Sequence, residues 1–84
     1  MFKVIDTQMA YNRVEKLDIT VRLCEEDGEF FMLRSDMPNY KVEMDEEFCQ
    51  EILSEVEEQN ADFESEELKM KRVLEIYVMT DFAL

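Results

Sequence analysis

Residues 17–24 alternate strictly between apolar and polar side chains, and this pattern constrains the fold more than any other part of the chain. The apolar members are Leu17, Ile19, Val21 and Leu23. A period of two is that of a β-strand with one face buried. The segment Glu25-Glu26-Asp27-Gly28 follows, and its glycine suits a left-handed turn position. The pattern therefore predicts a strand over 17–24 that enters a hairpin.

The residues after this turn predict the rest of a sheet. Residues 29–34 read as the return strand, and 40–44 as a third short strand. Between them, 35–39 are predicted to be a break, because Pro38 cannot sit in a central strand. Residues 68–80 alternate again and are predicted to be a strand buried on both faces toward its end. A helix starting at Ser65 is the competing interpretation for the first half of that segment.

The N-terminal third is less determined by pattern. Residues 2–5 predict a strand, whereas 6–16 fit either a short helix or a continuation of that strand. Both alternatives stay open at the level of sequence.

A helix is predicted over about residues 46–59. Asp45 is a suitable N-cap, and Glu46 and Glu47 fall in the first turn, where acids interact favourably with the helix dipole. The apolar positions recur on one face, so Cys49 is expected in the core. That apolar face comprises Phe48, Cys49, Ile52, Leu53 and Val56. The opposite face is strongly anionic.

These elements predict one α+β domain spanning residues 1–84. Its expected architecture is an antiparallel sheet of about four strands with one or two helices packed on one face. A chain of 84 residues is short for more than one domain, and 46% apolar residues suffice for one small core.

The charge is concentrated in the middle of the chain. The net charge is -13, from 22 acidic and 9 basic residues. Residues 25–67 hold 17 acids and two bases, whereas the segments on either side each carry a net +1. Direct binding to nucleic acid or to an anionic membrane is not expected, because both need clustered Lys and Arg. This concentration of charge has two interpretations that both stay open, which are a functional acidic face and an acidic segment that is only solvated.

The composition argues against enzymatic chemistry. There is no histidine, which is the commonest general base and metal ligand, and the single glycine excludes a glycine-rich phosphate cradle. Two cysteines 25 residues apart make no ordinary zinc site. We expect no enzyme, no catalytic residue, no metal and no cofactor. The absence of a signal-like or membrane-spanning apolar run, together with the few cysteines, predicts a cytoplasmic protein.

Acidic side chains at the hairpin and on the predicted helix form the candidate partner-binding surface. Carboxylates on one ridge can offer a basic groove a field like that of DNA, which carries one charge per roughly 1.7 Å of axis. The candidate residues are Glu25, Glu26, Asp27, Glu29, Glu47, Glu51, Glu55 and Glu58.

Residues 17–41 resemble part of the phage uracil-DNA glycosylase inhibitor family. The likeness lies in Asp18-Ile19-x-Val21 and in Met32-Leu33-x-Ser35-Asp36-x-Pro38-x-Tyr40-Lys41. The resemblance implies a small acidic inhibitor that imitates DNA and occludes an enzyme's DNA groove. In that family the acidic helices and a Glu-Ser-Ile strand precede the hairpin, whereas here the acidic helix follows it. No enzyme-contacting residue is therefore carried over.

The expected partner is thus a basic DNA-binding protein, and in a phage setting a glycosylase, a restriction nuclease or a CRISPR nuclease of the host cell. Anti-restriction and anti-CRISPR roles are equally open. The alternative is a protein-interaction module, an adaptor or a toxin neutraliser that binds through an apolar patch or a strand edge. A third hypothesis is a homodimer whose small core is completed by a second copy.

Overall fold

The computed structural model describes the backbone of residues 1–82 and the side chains of residues 1–80. Four strands precede two helices along the chain. The elements are β1 (Lys3–Asn12), β2 (Leu17–Glu26), β3 (Glu29–Arg34), β4 (Met37–Glu43), α1 (Glu46–Ser54) and α2 (Glu66–Phe82). The strands form one antiparallel sheet in the order β1-β2-β3-β4, so each strand pairs with its neighbour in sequence. The predicted α+β class, with a four-stranded antiparallel sheet, is confirmed.

The core lies between one face of the sheet and the two helices. The alternating residues of β2 supply its centre, since Ile19, Val21 and Leu23 are at most 1% exposed. Helix α2 packs across β1 and β2, and α1 packs against α2. The other face of the sheet has no helix over it within the described residues.

The prediction of a strand over residues 68–80 is wrong, because this segment lies within α2. Its buried residues recur at helical spacing at Met70, Val73, Leu74 and Tyr77. The Ser65 hydroxyl accepts a hydrogen bond from the Leu68 N–H (3.2 Å), as an N-cap does. The competing interpretation of a helix from Ser65 is therefore correct, and it extends well beyond the first half of the segment.

The predicted break at 35–39 is also wrong beyond its first two residues. Strand β4 begins at Met37, so Pro38 lies inside a strand. The fold tolerates it because β4 is an edge strand, where a missing N–H need not cost a ladder hydrogen bond.

The N-terminal segment continues as a strand to Asn12 rather than forming a helix. Strand β1 carries a bulge between Val4 and Asp6, which shifts its register against β2. A turn over 13–16 then leads into β2.

Helix α1 is shorter than the predicted 46–59. Its N-cap is confirmed, because the Asp45 carboxylate accepts a hydrogen bond from the Phe48 N–H at 2.8 Å. The helix ends where Glu57 adopts a left-handed backbone with φ of 59°, and the Glu58 N–H bonds to the Leu53 carbonyl. Cys49 is fully buried, as predicted.

Candidate functional site

The β2–β3 hairpin presents acidic side chains at its tip because its turn has a fixed backbone shape. Asp27 and Gly28 have φ of 53° and 82°, so both central residues are left-handed, as a type I′ turn requires. Glu26 and Glu29 face each other across the end of the ladder. Asp27 and Glu29 are exposed. The turn thus holds these carboxylates on a short, regular support.

Helix α1 supplies the second set of acids. Its apolar face is buried through Cys49, Ile52 and Leu53, which fixes the rotation of the helix. Glu47, Glu51 and Glu55 are exposed. They recur every four residues and therefore lie on one side of α1, about 6 Å apart along its axis. Glu55 has right-handed helical backbone angles and prolongs this row past Ser54.

A cleft of about 620 Å³ joins the hairpin tip to the N-terminal ends of both helices. Seven carboxylates and two lysines are among its lining residues. These charged residues are Glu26, Asp27, Glu29, Glu43, Asp45, Glu46, Glu66, Lys41 and Lys69. The hairpin acids and the first turn of α1 therefore border the same depression. We call this cleft and the row on α1 the acidic surface.

Three of the eight predicted residues are engaged in ion pairs. Glu25 lies 3.6 Å from the Lys3 ammonium, and Glu26 lies 2.9 Å from the N-terminal ammonium. Hydrogen bonding to that ammonium, and its charge, lower the pKa of Glu26. Their negative charge is therefore partly compensated within the chain.

The third, Glu58, does not lie on α1 beside Glu47 and Glu51, so that part of the sequence prediction is wrong. Its carboxylate accepts two hydrogen bonds from Arg72 of α2, at 2.9 and 2.6 Å. The hydrogen bonds from Arg72 lower the pKa of Glu58, and the charge of the guanidinium adds to this effect. The structure thus assigns Glu58 to the contact between the α1–α2 loop and α2.

The other five predicted residues have no ion pair among the described residues. They are Asp27, Glu29, Glu47, Glu51 and Glu55. The acidic surface consequently includes five carboxylates without an ion pair, on one helix and one tight turn.

Sequence reasoning missed four acids that line the cleft. Glu43, Asp45, Glu46 and Glu66 were not among the candidates, although Asp45 and Glu46 were placed at a helix start. The sequence does not indicate Glu66, because the alternation after it predicts a strand. Recognition of Ser65 as a helix cap would have placed Glu66 in the first turn of α2.

The apolar wall of the cleft includes the Cys49 thiol, which is unsuited to nucleophilic chemistry. Its sulfur contacts the Met44 carbonyl oxygen (3.8 Å) and the Met70 sulfur (3.7 Å). Burial raises the pKa of Cys49 to about 11, so the thiol stays protonated at neutral pH. Its role is to fill the core between α1 and α2.

The chemistry open to the acidic surface is attraction of cationic groups. Among residues 1–80, whose side chains the structure describes, there is no grouping of three or more Cys, Asp or Glu side chains arranged to hold a metal ion. Over the same residues, no helix is long and apolar enough to cross a lipid bilayer. Neither a protein-family model, nor a curated protein sequence, nor a solved structure matches this chain.

Proposed function

We propose that this protein is an inhibitor that binds the basic DNA-binding groove of a DNA-acting enzyme and excludes DNA from it. The carboxylates of the acidic surface take the positions of phosphates. The observation that carries the proposal is the row of exposed carboxylates Glu47, Glu51 and Glu55 on α1, a helix whose first turn also borders a cleft lined by seven carboxylates.

The spacing of this row supports imitation of DNA. Successive carboxylates on α1 are about 6 Å apart along the helix axis. Two base-pair steps of duplex DNA rise about 6.8 Å along its axis. A groove whose lysines or arginines are spaced to contact phosphates of a duplex therefore meets the carboxylates of α1 at a similar axial interval.

The rigidity of the supports favours the same function. Binding loses less entropy when charged groups are already held in place. Here the carboxylates stand on a helix whose opposite face is buried and on a type I′ turn. A disordered acidic segment would have the same charge without this preorganisation.

The acidic surface specifies a chemical class of target and not one particular enzyme. The partner is a protein whose groove is lined by Lys and Arg, such as a glycosylase, a restriction nuclease or a CRISPR nuclease. The resemblance of residues 17–41 to the phage uracil-DNA glycosylase inhibitors supports this class and does not select among its members.

The first experiment captures the target from bacterial lysate on the tagged protein, elutes with rising salt and identifies the bound proteins by mass spectrometry. We expect a DNA-acting enzyme that elutes at moderate salt and that added duplex DNA displaces, because complementary charges weaken as salt screens them. A partner that responds to neither salt nor DNA would favour the alternative of binding through an apolar surface.

A pair of charge-reversed variants then locates the interface. Glu47→Lys with Glu51→Lys changes the acidic surface, whereas Glu15→Lys with Asp18→Lys makes the same charge change at exposed positions around the β1–β2 turn. We expect the first variant to lose at least tenfold in affinity for the captured enzyme, and the control to lose far less. Equal effects of the two variants would mean that only net charge matters. Full inhibition by a folded first variant would refute the assignment.

A further inference from the structure

Strand β1 leaves one long edge of the sheet open. It pairs with β2 on one side and has no strand on its other side among the described residues. The opposite edge, β4, carries Pro38 together with the exposed charges of Lys41 and Glu43, which discourage pairing with another strand. Beyond its bulge, β1 offers seven regular residues, Asp6–Asn12, without such protection apart from Asp6.

The ladder determines which backbone groups of β1 face this open edge. In a two-residue hairpin the residues flanking the turn exchange hydrogen bonds, and bonded pairs then alternate along an antiparallel ladder. Glu26 and Glu29 flank the turn here, so the even-numbered residues of β2 bond to β3 and the odd-numbered ones to β1. Thr7, Met9 and Tyr11 lie opposite even-numbered residues of β2, which bond to β3. The backbone N–H and C=O groups of these three residues therefore face the open edge.

The Thr7 amide agrees with this direction. Its N–H donates to the Asp6 side chain at 2.9 Å rather than taking part in the ladder with β2.

The side chains at these positions add an apolar strip on the uncovered face of the sheet. Met9 is 67% exposed and Tyr11 is 48% exposed. Val4, before the bulge, is 48% exposed, and Val14, in the turn after β1, is 91% exposed. An edge strand with an apolar face is a typical site of strand-to-strand association.

We propose that β1 pairs in antiparallel fashion with β1 of a second copy of this chain, which joins two sheets into one continuous eight-stranded sheet. A register with Met9 opposite Met9 places Thr7 opposite Tyr11 of the other copy, and all of these residues have edge-facing backbone groups. Asp6 then lies opposite Asn12, so no like charges meet. The same register carries Val14 of each copy toward Val4 of the other.

The distribution of charge explains why a second copy is an acceptable partner for a chain with a net charge of -13. Strand β1 contains one lysine and one aspartate, Lys3 and Asp6, and is therefore neutral. Helix α2 covers β1 and β2, whereas α1 follows β4, the strand at the other edge, and packs against α2. The sheet is about 14 Å wide between its edge strands, longer than the screening length of about 8 Å at physiological salt. The row Glu47, Glu51 and Glu55 thus stands on a helix that packs on α2, whereas Glu25 and Glu26 of the hairpin, beside β1, are paired with Lys3 and the N-terminal ammonium.

The dimer does not depend on the proposed inhibitory function, and it would give one particle two acidic surfaces. Its test needs only the isolated protein. Sedimentation analysis over about 1–100 µM should show a species of twice the 10.1 kDa chain mass. Met9→Lys should weaken the association at least tenfold, because two ammonium groups would meet at the axis. The control Tyr40→Lys changes a residue on the other edge strand that is 58% exposed. It should sediment with the same dimer mass as the wild type.

A covalent trap tests the register independently of how Met9→Lys folds. Opposing residues of a hydrogen-bonded antiparallel pair have Cα atoms about 5.5 Å apart, which a disulfide can span. Met9→Cys should therefore form a disulfide-linked dimer under mild oxidation, whereas Tyr40→Cys should not. The native Cys24 and Cys49 are fully buried and free. A wild-type chain that is monomeric at 100 µM, or equal trapping of the two cysteine variants, would overturn the proposal.

Discussion

The Arg72 guanidinium of α2 donates hydrogen bonds to both carboxylate oxygens of Glu58, in the loop that follows α1. Arg72 also contacts the Glu75 carboxylate at 3.4 Å on its own helix. The contact ties the end of α1 to α2 across 14 residues of sequence and removes one acid from the surface available to a partner.

The Glu58 ion pair should make stability depend on pH in the acidic range. The pKa of Glu58 is lowered in the folded state, so its contribution is present above the unfolded-state value of about 4.3. It is lost as the pH falls through the lower folded-state value. We expect the difference in unfolding free energy between the wild type and Glu58→Gln to be constant near neutrality and to shrink below about pH 4.3. Urea denaturation at a series of pH values measures it, and a difference that grows with acidity would contradict the pairing.

A better-buried ion pair lies at the β3–β4 turn, and a hydrogen bond from its guanidinium connects it to α2. Arg34 donates two hydrogen bonds to Asp36, at 3.0 and 2.7 Å, and a third to the Tyr77 hydroxyl at 2.9 Å. The Asp36 side chain is 7% exposed. We expect Asp36→Ala to lower the unfolding free energy by about 2 kcal/mol, because charged hydrogen bonds in a covered site are lost.

The matched control for this prediction is the exposed ion pair between Glu67 and Lys71. Its side chains are 47% and 38% exposed. Glu67→Ala should cost less than about 0.5 kcal/mol, since solvent screens an i,i+4 pair on a helix surface. Equal costs for the two variants in chemical denaturation would show that burial of Asp36 adds nothing.

The hairpin turn provides a test of backbone strain without steric interference. Gly28 has φ of 82°, and a Cβ added there would meet no atom within 4 Å. Gly28→Ala should therefore destabilise the fold by about 1 kcal/mol through its left-handed backbone alone. Gly28→Asn should restore most of the loss, because asparagine tolerates this conformation. Thermal or urea unfolding distinguishes strain from side-chain packing, since a steric cause would penalise the larger asparagine more.

The end of α1 offers a stabilising substitution. Glu57 has a left-handed backbone at the position where helices commonly carry glycine. Glu57→Gly should raise the unfolding free energy by about 0.5–1 kcal/mol. Glu55→Gly removes the same side chain from a residue with right-handed helical angles and should lower the unfolding free energy by about 1 kcal/mol. Effects of the same sign would refute the conformational explanation.

Local pattern predicted the sheet better than it predicted the helices. The strands around the β2–β3 turn could be predicted because alternation and a turn residue agree there. Residues 68–80 could not, because Leu74, Ile76 and Val78 alternate while Met70, Val73 and Tyr77 also fit a helical period. The helix is selected by packing on the buried apolar residues of β2, Ile19, Val21 and Leu23, which is a tertiary effect.

The candidate site was predicted in part for a similar reason. The exposed acids of the hairpin and of α1 follow from local pattern, as does Asp45 at the helix start. The engagement of Glu58 could not be predicted, because it requires α2 to be a helix that carries Arg72 past the end of α1. The cleft likewise depends on where Glu66 and Lys69 lie once α2 has packed.

The packing of α2 on β1 has a consequence for synthesis in the cell. The four strands can pair as they leave the ribosome, since each one follows its neighbour through a short turn. The apolar face of the sheet, however, stays exposed to solvent until residues 66–82 have been translated, at roughly 5–20 residues per second. The nascent sheet therefore passes through an interval, on the order of seconds, in which its bare face is a target for chaperones.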